Sequence, residues 1–63
     1  MPTVKRGSHG TAVVTLQQKL NINPKDGIFG PGTERRVKEF QSANGLAADG
    51  VVGPKTWAKL LGL

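Results

Sequence analysis

The chain has 63 residues, no cysteine, and nine Lys and Arg against four Asp and Glu, for a formal net charge of +5. This length fits one small domain that buries only about 60% of the surface its unfolded chain exposes. With no thiol for a disulfide or a thiolate zinc site, compact helix packing has to stabilise it. No run of 18 apolar residues exists to form a membrane-spanning helix, and Met1-Pro-Thr-Val-Lys-Arg6 lacks the apolar core of a signal peptide. The positive charge suits a polyanionic partner such as nucleic acid, an anionic membrane or a cell-wall polymer, and it equally suits plain solubility.

Three helices are predicted in chain order, over 11–20, 31–44 and 54–61. In the first, Val13, Leu16 and Leu20 fall at i, i+3 and i+7 with Ala12 alongside, behind candidate caps Ser8, Gly10 and Thr11. In the second, Val37, Phe40 and Ala43 share a face, and Glu34, Arg35, Lys38 and Glu39 mostly occupy the other. In the third, Trp57, Leu60 and Leu61 form the apolar stripe.

The connections contain an internal repeat. Asp26-Gly-Ile-Phe-Gly-Pro-Gly-Thr33 returns 23 residues later as Asp49-Gly-Val-Val-Gly-Pro-Lys-Thr56, with five of eight positions identical. Each copy reads as a tight Asp-Gly turn, a short extended connector with one residue tucked inward, and a helix start. Gly30 and Gly53 sit at the caps, and Pro31 and Pro54 take the first helical position, where a missing N–H costs nothing. Leu20-Asn21-Ile22 and Asn44-Gly45-Leu46 read as matching helix ends, each with a left-handed residue followed by an apolar one that folds back into the core. The fold class is therefore all-α, a small three-helix bundle with two repeated Asp-Gly turn–helix units.

Together with Arg6-Gly-Ser-His-Gly10, Leu16-Gln17, Phe40-Gln41 and Trp57, this pattern resembles the type 1 peptidoglycan-binding domain family over nearly the whole chain. The resemblance implies a single, monomeric, non-catalytic domain spanning 1–63 that targets a linked hydrolase to murein. Such modules accompany amidases, lysozyme-like enzymes, transglycosylases, carboxypeptidases and phage endolysins. It further implies a cell-wall, extracytoplasmic setting, with glycan strand and stem peptide as partners and no cofactor, metal or membrane. One departure is Asn21-Ile-Asn-Pro-Lys25, which is shorter than the family's usual link before the first turn.

Nine residues are candidates for ligand binding. Asp26 could accept from sugar hydroxyls or N-acetyl amides, or satisfy its own turn. Gly30 would let a ligand approach the bare backbone closely. Phe29 is larger than its repeat mate Val52, which fits either a core gap or a sugar platform. Trp57 reads as core with its N–H paired, or as a platform beside the first turn. Thr33 reads as a first-turn residue and a second-rank contact. Arg35 and Arg36 match a stem-peptide carboxylate in bidentate fashion, or form a solvated helix face. Gln41 and Asn44 could read amides, although Gln41 aligns with Gln17 and so suits a structural hydrogen bond.

Catalysis has little to work with. His9, the one histidine, lies among Ser and Gly in what reads as a flexible N-terminal stretch, and there is no cysteine nucleophile and no metal-ligand cluster. The alternative is a helical nucleic-acid-binding module around Arg35-Arg36-Val-Lys38. A link of about ten residues between the second and third helices argues against it, because a helix-turn-helix wants three or four.

Overall fold

Gly-Pro pairs open two of the three helices in the same way. The computed structural model describes residues 1–62 and forms α1 (Thr11–Leu20), α2 (Pro31–Ala43) and α3 (Pro54–Leu61). Gly30 and Gly53 are the extended N-caps of α2 and α3, each followed by its proline. The Glu34 N–H donates to Gly30 O at 3.0 Å and the Trp57 N–H to Gly53 O at 2.9 Å, closing the two first turns. α1 is capped by Gly10 without a side-chain bond, and the Ser8 hydroxyl instead accepts from the Lys5 N–H at 3.0 Å.

The helix ends match as well. Asn21 and Gly45 both take positive φ, and the following Ile22 and Leu46 N–H groups donate back to Gln17 O and Gln41 O, each at 2.8 Å. Ile22 is buried, as expected, but Leu46 is only half-buried, so one of the two expected core contacts is incomplete.

α1 packs against both other helices. The core takes Val13 and Leu16 from α1, Val37 from α2, Trp57 from α3, Phe29 and Val52 from the connectors, and Val4 from the N-terminal segment. Leu20, Leu60 and Leu61 close over it from their half-buried positions. The inward face of α2 differs from the apolar stripe expected. It buries Thr33, Val37 and Gln41, spaced by four, while Phe40 is half-buried and Ala43 exposed. Polar side chains occupy that face because every buried polar atom on it has a partner.

The N-terminal stretch is laced down rather than loose. Val4 exchanges both backbone hydrogen bonds with Val52, at 2.8 and 3.2 Å. Further along, the Gly7 N–H donates to Phe29 O, the Phe29 N–H to Ser8 O and the Gly10 N–H to Gly27 O, all at 2.9 Å. One segment thus binds both connectors, through isolated antiparallel bridges Val4–Val52 and His9–Ile28.

Candidate functional site

Each Asp-Gly turn is organised by a buried glutamine from the preceding helix. Gln17 is 1% exposed; its Oε1 accepts from the Gly27 N–H at 2.9 Å. Its Nε2 donates to Asp26 Oδ1 at 3.2 Å, Ile28 O at 3.1 Å and Thr33 Oγ1 at 3.3 Å. Gln41 repeats every bond: Oε1 accepts from Gly50 N–H at 3.0 Å. Its Nε2 reaches Asp49 Oδ1 at 3.1 Å, Val51 O at 2.9 Å and Thr56 Oγ1 at 3.2 Å. The orientation of both amides follows from their surroundings, with one N–H on one side and three acceptors on the other. Each glutamine therefore ties helix, turn, connector and next helix into one unit.

The turn carboxylates complete the pattern. Asp26 Oδ1 accepts from the Ile28 N–H at 3.0 Å and Asp49 Oδ1 from the Val51 N–H at 2.9 Å. These backbone donors, helped by the glutamine amides, hold both carboxyls below their ordinary pKa. Both aspartates are thus held as anions, which suits an acceptor of hydrogen bonds and not a general acid. Gly27 and Gly50 follow at φ of 74° and 75°, where a side chain is strained.

A shallow groove of about 530 Å³ opens over the first turn. It is lined by the buried Gln17, Ile22 and Thr33, by Asp26 and Ile28 of the turn and connector, and by Arg35, Arg36 and Glu39 of α2. Ile28 is 59% exposed, an unusual position for so large an apolar side chain in a small domain. Thr33 is 5% exposed, and its oxygen accepts from Gln17 while its own proton has no acceptor among the described residues. A ligand carbonyl or carboxylate in the groove can take that proton.

The charges on this groove balance. Glu39 lies 4.0 Å from Arg35 Nε and 3.3 Å from Arg36 Nε, and Asp26 adds a second anion to the lining. The chain's net charge of +5 is therefore not concentrated in this groove. The two arginines also differ. Arg36 donates to Leu20 O at 3.3 Å, tying α2 to the end of α1, whereas the Arg35 side chain is 83% exposed.

Of the nine candidates, the groove brings together Asp26, Gly30, Thr33, Arg35 and Arg36. Phe29 is 1% exposed, so of its two readings the core gap is the one the structure shows, and neither face of its ring is open to a sugar. Trp57 is 3% exposed with its Nε1–H donating to Pro2 O at 2.8 Å, again core with a paired N–H. Gln41 has its amide committed at the second turn, and Asn44 Nδ2 donates to Phe40 O at 2.8 Å at the end of α2. Sequence reasoning did not single out Ile28, Ile22, Pro24 or Glu39, all of which line the groove. The signal for Ile28 was available: its connector alternates, so tucking Phe29 inward turns Ile28 outward.

Comparison with known proteins places this architecture. The model of the peptidoglycan binding domain family matches residues 9–60. The chain is 46% identical over 65 aligned positions to the zinc D-Ala-D-Ala carboxypeptidase of Streptomyces albus G, covering 92% of this chain and 26% of that protein. It is 43% identical to a probable N-acetylmuramoyl-L-alanine amidase of Bacillus licheniformis, covering 86% of this chain and 18% of the amidase. Among solved structures, the SleB N-terminal domain superposes with a TM-score of 0.93 at 35% identity, covering 97% of this chain and 90% of that domain. The Burkholderia AP3 phage endolysin matches with a TM-score of 0.90 at 40% identity, over 94% of this chain and 24% of the endolysin. The chain thus spans only about a quarter or less of the carboxypeptidase, amidase and endolysin it matches. With three helices, two turn units and this match over 9–60, the chain belongs to the peptidoglycan binding domain family found in cell-wall hydrolases and endolysins.

Proposed function

We propose that this chain is a non-catalytic module that binds peptidoglycan in the groove over the first Asp-Gly turn and holds a linked wall hydrolase against its polymer. The observation that carries this reading is the groove itself, which is lined by the exposed Ile28 and Arg35 together with the largely buried Thr33. Ile28 offers apolar contact to a sugar face or an aliphatic peptide side chain. Thr33 donates to an acyl carbonyl, and Arg35 meets a stem-peptide carboxylate. Asp26 and Glu39 answer the hydroxyl, amide and amine donors of the same ligand.

A balanced groove of this kind suits a polymer bearing both carboxylates and amides better than it suits a uniformly anionic one. Affinity per site is modest because a shallow polar groove gains little beyond its ordering costs. The benefit lies in effective concentration: a tethered catalytic domain works on an insoluble polymer that offers the same site many times. The setting is the cell wall, and the partners are peptidoglycan and a covalently attached catalytic domain.

Co-sedimentation with nucleic-acid-free sacculi, run beside a mobility-shift assay with duplex DNA, tests the proposal. Retention on sacculi that survives moderate salt, with no DNA shift, is the expected result. A DNA shift without retention would overturn it.

A further inference from the structure

The duplicated turn carries a duplicated groove. Over the second turn lies a depression of about 470 Å³, close in size to the first. Its lining matches by repeat position: Gln41 for Gln17, Leu46 for Ile22, Asp49 for Asp26, Val51 for Ile28, and Thr56 for Thr33. Thr56 is also 5% exposed, accepts from Gln41, and keeps a proton with no acceptor among the described residues. Leu46, half-buried, lines this depression, as the more deeply buried Ile22 lines the first.

The differences between the two grooves define the second ligand. Lys55 stands where the first groove has Gly32, and this groove's lining includes no arginine. Leu46, Ala47, Val51 and Pro54 make its surface more aliphatic. A cation next to a free hydroxyl donor at the start of α3 suits one carboxylate. The aliphatic side chains suit small methyl-bearing residues, and the Asp49 carboxylate on the same lining disfavours a second anion.

We propose that the second groove binds a short aliphatic peptide ending in a free carboxylate, as at the alanyl terminus of a peptidoglycan stem. Its carboxylate meets the Lys55 ammonium and the Thr56 hydroxyl proton, and its methyl groups rest on Leu46, Ala47 and Val51. The inference rests on the peptidoglycan reading for the identity of the ligand, but it concerns a different surface. One module then holds the polymer at two points, and the two engagements reinforce each other through effective concentration.

Amide chemical-shift mapping on the intact chain separates the two sites. The probes are N-acetyl-D-alanyl-D-alanine, its C-terminal amide, and a soluble disaccharide-peptide fragment of peptidoglycan. The free dipeptide is expected to move the Gly50, Val51 and Thr56 amides, and the amidated form is not. Lys55→Glu and Ala47→Trp change exposed residues, and each should raise the titration midpoint roughly tenfold or more. In both variants the larger fragment should still move Gly27, Ile28 and Thr33. No response at 50–56 to the free dipeptide, or an equal response to the amidated form, overturns the second site. If Gly27, Ile28 and Thr33 still respond in that case, the first groove stands on its own.

Discussion

The two turn units share their interior and differ at their surface. Glutamine, aspartate and threonine make the same five hydrogen bonds in each, within 0.2 Å of one another. Around that frame the first unit carries Ile28, Arg35 and Arg36, whereas the second carries Val51, Ala58 and Lys59. The first link is also one residue longer, with a cis Asn23–Pro24 peptide that lines the groove wall. Residues held the same in both copies build the turn. Those free to differ shape what each turn offers to a ligand.

The largest expected effect tests the shared part. Gln17→Ala and Gln41→Ala should each cost about 3 kcal/mol, because each strands a buried backbone N–H and several acceptors and leaves a cavity. A domain of this length has only about 3–9 kcal/mol in total, so each variant should lose a third or more of its stability and melt at a clearly lower temperature. If one substitution proved silent, the two units would not be energetically equivalent.

A smaller effect should tell the units apart. A Cβ at Gly27 would meet Val14 Cγ2 at 3.0 Å and the Gly10 carbonyl oxygen at 3.2 Å, and that backbone is laced to the turn. A Cβ at Gly50 would meet Glu34 Cγ and Lys38 Cε, both at 3.1 Å, on side chains that yield more easily than backbone. Both positions carry the cost of a left-handed backbone. Denaturant midpoints should therefore give about 2 kcal/mol for Gly27→Ala and about 1 kcal/mol for Gly50→Ala. Equal losses would mean that the N-terminal segment yields as easily as a side chain.

The smallest effect is on pH dependence. Asp26 has a lowered pKa in the folded chain, so it stabilises the fold above its unfolded value of about 3.9. That contribution is lost as pH falls through the folded value. Asp26→Asn keeps an acceptor for the Ile28 N–H and removes the charge. Its stability should fall less steeply than wild type below about pH 4, measured by urea unfolding across pH.

Much of the fold was legible because turn chemistry is local. Gly30-Pro31 and Gly53-Pro54 specify helix starts by backbone conformation alone, and Asn21 and Gly45 specify the ends. The glutamine frame was half hidden. Gln17 and Gln41 are 24 residues apart while their aspartates are 23 apart, so the extra residue of the first link puts them out of register with the octapeptide. The role of Val4 could not be read locally, since its partner Val52 lies at the far end of the chain. At the site, Arg35 stood out because its repeat mate is alanine. Glu39, which neutralises part of that charge, stands at i+4 from Arg35 and i+3 from Arg36, so its pairing follows from the helix predicted there.

Recognition by the first groove differs from attraction by net charge in what a single charge reversal does. Retention on sacculi of Arg35→Glu should be compared with that of Lys5→Glu, an equal change of charge at an exposed position on the N-terminal segment. Arg35→Glu should lose most of its retention and Lys5→Glu should keep it, with both melting like the parent chain. Equal retention by the two variants, or equal loss, would contradict the groove and leave only diffuse charge to explain any binding.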